Sequence, residues 1–160
     1  MSRSETIKED AAGLRIAILV SRYHEPITTA LETGARDAFH AAGGRPDLLE
    51  VHECPGAFEL AGLASVAIAT GRFDAVICLG CVVKGETSHD AWLNGAVANE
   101  LAALSARHGV AVSFGLLTVN DLAQARERAG GSKGNKGAES MQAAIAFVRV
   151  AERIRRRVQS

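Results

Sequence analysis

The chain has 160 residues, 48% of them hydrophobic, which is enough for one domain with a sizeable core and too short for two ordinary ones. Its 18 basic and 18 acidic side chains cancel, so the surface gives no electrostatic case for nucleic acid or a membrane as partner. The opening MSRSETIKED lacks the apolar centre of a signal peptide, and no run approaches the roughly 18 apolar residues of a membrane span, so a cytoplasmic protein is expected.

The first element is LRIAILV, residues 14–20, a continuous apolar run bounded by Gly13 and by Ser21-Arg22, as expected of a strand buried on both faces. Ile27, Ala30, Leu31, Gly34, Ala35, Ala38, Phe39 and Ala42 then recur at helical spacing, with Pro26 suited to the first turn and Gly43-Gly44 to the stop. Residues 46–53 give a weaker second strand, LLEVHE. After Pro55-Gly56 the segment AFELAGLASVAIAT reads as helix, closed by Gly71. AVICLGCVV, residues 75–83, is a third strand, and residues 90–108 a third helix ended by Gly109. VAVSFGLLT, residues 110–118, is a fourth strand, followed by a short helix over 122–129 and a Gly/Lys-rich loop, AGGSKGNKG. A long final helix runs from 137 to about 158, with Met141, Ala144, Ile145, Val148 and Ala151 on one face.

Strand and helix alternate without a break in composition. That pattern implies right-handed βαβ units: a three-layer α/β/α sandwich around a four-stranded parallel sheet. Residues 14–160 form the single domain. Residues 1–13 form a polar arm, expected to be disordered unless it pairs with the sheet of a neighbouring chain.

The three cysteines, Cys54, Cys78 and Cys81, are too few and odd in number for a disulfide scaffold. Cys78 and Cys81 form C-x-x-C, which raises a redox or zinc reading. They lie inside an apolar strand, however, where residues three apart point to opposite faces, and buried inert thiols are the expectation.

In open parallel sheets ligands bind beyond the carboxyl ends of the strands. The segments that follow the four strands are SRYHEPIT, ECPGAFE, KGETSH, and LTVND with the later RAGGSKGNKG. Polar residues therefore converge on one edge. In KGETSH, Gly85 permits backbone shapes that other residues avoid, and Glu86, Thr87 and Ser88 open a helix whose free N–H groups and dipole favour an anion. Thr87 offers a hydroxyl to a phosphate. The bland alternative is an ordinary set of capping polars. A helix N-terminus disfavours an imidazolium, so His89 is placed to accept a proton.

CPGAFEL supplies the second signal. Phe58 and Glu59 are either core and dipole-complementing charge, or a flat ring contact with a carboxylate for hydroxyl groups. Tyr23 offers a second aromatic face and Phe114 a third, although Phe114 taken alone reads as core. Arg128, Lys133 and Lys136 flank a loop that either wraps an anion or is simply solvated; G-K-[ST] after a strand is absent, so it is not a Walker loop. The run Arg153, Arg155, Arg156 and Arg157 reads as a solvated, dipole-favoured helix end. Together these residues imply a phosphorylated ligand with a planar or polyol part.

At this point the motifs resemble a known family. SRYHEPITTALETGA, CPGAFEL, GCVVKGETSH, FGLLT, QARERAG and GNKG are similar, in order and spacing, to signatures of the lumazine synthases over about residues 14–150. The resemblance implies a flavodoxin-like sandwich that condenses 5-amino-6-(D-ribitylamino)uracil with 3,4-dihydroxy-2-butanone 4-phosphate, with no metal or cofactor. It implies His89 as proton shuttle. Tyr23 would stack on the pyrimidine, and Val82 and Val83 would flank the ring through their backbone. Ala57, Phe58, Glu59 and Lys84 would belong to the ring and ribityl pocket. Gly85, Glu86 and Thr87 would cradle phosphate. Phe114, Arg128 and Lys136 would come from the neighbouring subunit, with Arg128 on the phosphate. It further implies a homo-oligomer, a pentamer or twelve pentamers in a 60-subunit shell, and riboflavin synthase as a further partner. The short connection between 129 and 136 leans towards the shell. Departures are Tyr23 for a more usual Phe or Trp, Cys54 and Ala61 for a common Val and Pro, and Asp90 directly after His89, one place earlier than the family's usual acid. Two competing readings keep the fold without the chemistry: a lumazine- or flavin-binding module, and a shell-forming scaffold.

Overall fold

A computed structural model describes residues 9–158. The strands are β1 (Ile16–Ser21), β2 (Leu49–Cys54), β3 (Ala75–Val83) and β4 (Ala111–Val119), with a small pair β5 (Ala129–Gly131) and β6 (Gly134–Asn135). The helices are α1 (Glu25–Ala41), α2 (Glu59–Ala69), α3 (His89–His108), α4 (Leu122–Arg128) and α5 (Lys136–Val158). The four long strands form one parallel sheet in the order β2-β1-β3-β4.

The two central strands are apolar along their length because helices cover both of their faces. All six residues of β1 are buried, as are the first seven of β3. Alternation then sorts their side chains between two cores. Ile16, Ile18, Val20, Ile77, Leu79 and Cys81 pack against Leu31, Phe39, Met141 and Ile145 of α1 and α5. Leu19, Val76 and Cys78 pack against Leu60, Ala64, Val97, Leu101 and Leu104 of α2 and α3. Cys78 and Cys81 thus lie in different cores, on opposite faces of the sheet, as strand geometry requires. The expected α/β/α sandwich is the observed one.

Three details differ from expectation. A 3-10 turn at Pro46–Leu48 precedes β2, so the strand starts later than the proline. The folded chain begins before residue 14: Ala11 is fully buried, and the Arg149 guanidinium donates to the carbonyls of Asp10 (2.9 Å) and Ala12 (2.7 Å). Residues 1–8, where arm pairing with a neighbour was expected, lie outside the described residues.

The third difference is the Gly/Lys-rich segment, which is no irregular loop but a β5–β6 hairpin, exposed over residues 130–134. Gly130 (φ 113°) and Gly134 (φ 85°) supply the left-handed backbone that this tight reversal needs. Asn135 then does two jobs. Its Oδ1 accepts from the amides of Gly137 (2.9 Å) and Ala138 (3.2 Å), capping α5, while its Nδ2 donates to the Ala30 carbonyl of α1 at 2.9 Å. Gly137 lets α5 approach α1 so closely that an added Cβ would overlap the Leu31 carbonyl. GNKG is therefore the hinge that fixes α5 on α1, with Lys136 at the first helical position.

Asn135→Ala should lower the unfolding free energy by about 1–2 kcal/mol through loss of the cap. Gly137→Ala should cost more, since backbone must move to make room. Denaturant midpoints at constant slope check both, and wild-type midpoints would show that the hinge carries no stability.

Candidate functional site

Turns at the carboxyl ends of β1, β2 and β3 meet over a cavity of about 420 Å³. The β1–α1 turn contributes Tyr23 and His24; the β2–α2 turn contributes Gly56, Ala57 and Phe58. The end of β3 contributes Cys81, Val82 and Val83, and the entry to α3 contributes Gly85, Thr87, His89, Asp90 and Leu93.

Each contributor is held for a local reason. The Ser21 hydroxyl accepts from the Tyr23 amide at 3.3 Å, and the Arg22 amide donates to the Cys54 carbonyl at 2.9 Å. The Arg22 guanidinium bridges Glu32 (2.8 Å) on α1 and Glu53 (2.6 Å) on β2, and this hydrogen-bonded pairing holds the Glu53 carboxyl below the usual carboxylate range. His24 takes a left-handed conformation, φ 62° and ψ 49°, and its carbonyl accepts from the amides of Ile27 (2.9 Å) and Thr28 (3.2 Å) at the start of α1. Beyond β3, the Lys84 amide donates to the Val119 carbonyl at 2.8 Å, extending the β3–β4 ladder by one step.

At the entry to α3, the Ser88 carbonyl accepts from the amides of Ala91 (3.1 Å) and Trp92 (3.3 Å), and no side chain caps the helix. The Thr87 hydroxyl accepts from the His89 amide at 3.4 Å. Within the described residues the amides of Glu86 and Thr87 have no protein acceptor, so this turn presents free N–H groups beside His89. Gly85 does not use the left-handed backbone expected of it: it has no positive φ, and the strained residue at this edge is His24. The reason is that β3 runs out in extended form, and the reversal happens later, in the turn of residues 86–88.

Other predicted residues lie elsewhere. Glu59 lines an adjoining groove of about 800 Å³ between α2 and α3, and it shares Phe58 with the cavity. Lys84 and Glu86 are exposed and line neither. Phe114, Arg128 and Lys136 come together around β4, with Thr118, Lys133 and Glu139, in a separate depression of about 420 Å³ that shares no lining residue with the His89 cavity. There the Arg128 guanidinium donates to the Gln124 carbonyl at 3.2 Å, and the Lys136 ammonium pairs with Glu139 at 3.3 Å.

His24, Gly56, Cys81, Asp90 and Leu93 also line the cavity, and none of them was expected from the sequence. Leu93 lies four residues after His89, so helical periodicity would have found it. Asp90 lines the cavity because α3 starts at its rim, where neighbouring residues of the first turn both border the opening.

A family model for 6,7-dimethyl-8-ribityllumazine synthase matches residues 13–152. The chain belongs to that family. The matched span contains the His89 cavity and the β4 depression alike. Relatives named 6,7-dimethyl-8-ribityllumazine synthase include one from Sulfurovum sp. (strain NBC37-1), 40% identical over 134 residues, which is 84% of this chain and 86% of the relative. Another, from Anaeromyxobacter dehalogenans (strain 2CP-C), is 40% identical over 144 residues, 90% of this chain and 89% of the relative. A third, from Campylobacter curvus (strain 525.92), is 42% identical over 131 residues, 82% of this chain and 84% of the relative.

In this member of the lumazine synthase family, burial pushes the Cys54 and Cys81 thiols up to about 11, and pushes that of Cys78 up as well. Only the thiolate reacts, so raising a thiol from 9.0 to about 11 leaves roughly a hundredfold less of it at pH 8. Labelling with a thiol-specific disulfide reagent at pH 8 should be at least tenfold slower in the native chain than in denaturant. Equal rates would contradict the burial of all three thiols.

Proposed function

We propose that the chain catalyses the reaction for which its family is named, forming 6,7-dimethyl-8-ribityllumazine from 5-amino-6-(D-ribitylamino)uracil and 3,4-dihydroxy-2-butanone 4-phosphate, the penultimate step of riboflavin biosynthesis. The observation that carries this is the cavity itself, where an aromatic face (Tyr23), an imidazole (His89) and an amide-bearing turn (86–88) converge at the carboxyl edge of the sheet.

The pyrimidine lies against Tyr23, flanked by the backbone of Val82 and Val83, with its ribityl chain running towards Ala57, Phe58 and Glu59. The phosphate of the second substrate sits on the turn of Gly85, Glu86 and Thr87. The 5-amino group attacks the ketone carbonyl, and loss of water gives an imine. His89 accepts and returns protons as this imine forms, as phosphate leaves and as the second nitrogen closes the ring with loss of water. Arg128 pairs with the phosphate dianion in the two-pronged geometry of a guanidinium, which lowers the cost of its departure.

A neighbouring subunit completes the site with Phe114, Arg128 and Lys136. Support comes from the separation of these residues from His89 within one chain: cation and ring cluster around β4, imidazole and stacking ring across β1 and β3. A ring of five subunits brings each β4 edge to the next cavity, and the short connection from β5 to α5 favours twelve such rings in a shell. The enzyme acts in the cytoplasm, and riboflavin synthase, which consumes its product, is a partner. A pocket kept without turnover would be expected to have lost a reacting group, whereas His89, Arg128 and Lys136 are all present.

Incubating the protein with both substrates should release lumazine, followed by absorbance, and free phosphate, above the uncatalysed blank. His89→Ala should lower kcat by about 10²-fold or more with the oligomer intact. Arg128→Ala should raise KM for the butanone phosphate about tenfold or more and leave that for the pyrimidine within twofold, since a charge-assisted bond is worth about 1.5–3 kcal/mol. Unchanged kinetics for the phosphorylated substrate would sink the role of Arg128, and no excess over the blank would sink the enzymatic reading.

A further inference from the structure

Among the described residues, only one non-glycine residue adopts a positive φ: His24, at 62°. It stands between β1 and α1, lines the His89 cavity and is half-buried. A glycine would take this backbone without strain, and the chain carries an imidazole instead. That ring packs edge-on against Tyr23, with centroids 4.7 Å apart and planes at 74°. Tyr23 is itself 66% exposed, so very little else holds its ring.

The surrounding structure over-determines the turn. The Ser21 hydroxyl takes the Tyr23 amide, Arg22 is clamped between Glu32 and Glu53, and the His24 carbonyl starts the hydrogen bonding of α1. Strained residues persist where neighbours enforce them, and they gather where a side chain must be presented in one orientation. A turn requirement alone would account for the backbone of His24. It would account neither for the ring contact nor for the place of His24 in the cavity wall.

We propose that His24 is a positioning residue for the reaction. Its left-handed backbone swings Tyr23 over the cavity, and its imidazole edge fixes the plane in which the Tyr23 ring meets the pyrimidine. His24 thereby sets affinity for the planar substrate and product through Tyr23, without touching the phosphate end. This inference rests on the enzymatic reading above for the identity of the ring.

The test uses the full-length oligomer and the lumazine product as fluorescent probe. His24→Gly keeps the left-handed backbone and removes the ring; His24→Asn keeps a residue tolerant of that backbone and also removes the ring. Both should weaken lumazine binding and raise KM for the pyrimidine about five- to twentyfold, with kcat and the KM for the butanone phosphate within twofold. His24→Phe restores a ring edge and should recover most of the affinity. In a Tyr23→Ala background, His24→Gly should have no further effect, because the residue acts through Tyr23.

Wild-type affinity in both His24→Gly and His24→Asn would overturn the inference. So would an equal loss with and without Tyr23, which would mean direct contact with ligand. A parallel rise in both KM values would reduce His24 to a structural turn residue and would equally overturn it. A wild type that binds lumazine without turnover would sink the enzymatic reading alone. A wild type that turns over, with His24 variants unchanged, would sink the positioning role alone.

Discussion

The structure depends on β3. Hydrogen-bonded to β1 on one side and β4 on the other, and covered by helices on both faces, this nine-residue strand has no place along its buried length for a polar side chain. Its first seven residues are buried. Every polar group on this stretch of chain is therefore displaced to where the strand runs out, and the residues that emerge there are Lys84, Gly85, Glu86, Thr87, Ser88 and His89. The same rule acts on β1, which releases Arg22, Tyr23 and His24 beside them. Parallel pairing puts both strand ends on one edge, and the cavity results from that alignment.

What the edge does chemically follows from two kinds of anchoring. Ionic clamps hold the β1 exit: Arg22 between Glu32 and Glu53 ties a loop, a helix and an outer strand together. Backbone closeness holds the far side: Gly137 and Asn135 seat α5 on α1, and so fix Lys136 next to Arg128 and Phe114. Neither set of anchors lines the His89 cavity or the β4 depression, and each holds residues that do.

Much of this was legible in the sequence. Continuous apolar runs gave the four strands because strands covered on both faces cannot alternate, and helical periodicity with proline and glycine at the ends gave the helices. The opposed faces of Cys78 and Cys81 followed from a period of two. Less visible was anything that depends on a distant partner. Nothing local shows that Asn135 caps one helix while bonding to another 105 positions away, so AGGSKGNKG resembles a flexible loop. The special backbone was assigned to Gly85 because glycine tolerates it, whereas the positive φ at this edge belongs to His24, two residues after the ion-paired Arg22. Glu59 turns towards the α2–α3 groove because its neighbour Leu60 is fully buried on the sheet side. That Phe114, Arg128 and Lys136 gather around β4, apart from the His89 cavity, could not be read from local spacing, which carries no information about which strand ends meet.

The central claim is that a working site is made from two half-sites on different chains. It is tested most directly by co-assembling His89→Ala subunits with Arg128→Ala subunits and measuring lumazine formation at butanone phosphate concentrations far below the KM of Arg128→Ala, where both parents are slow. With shared sites, a fraction of cavities in the mixed oligomer pairs an intact His89 with an intact Arg128, and activity returns well above either parent. A mixture no more active than its parents, with mixed oligomers demonstrated by mass, would mean that His89 and Arg128 act within one chain or not together at all.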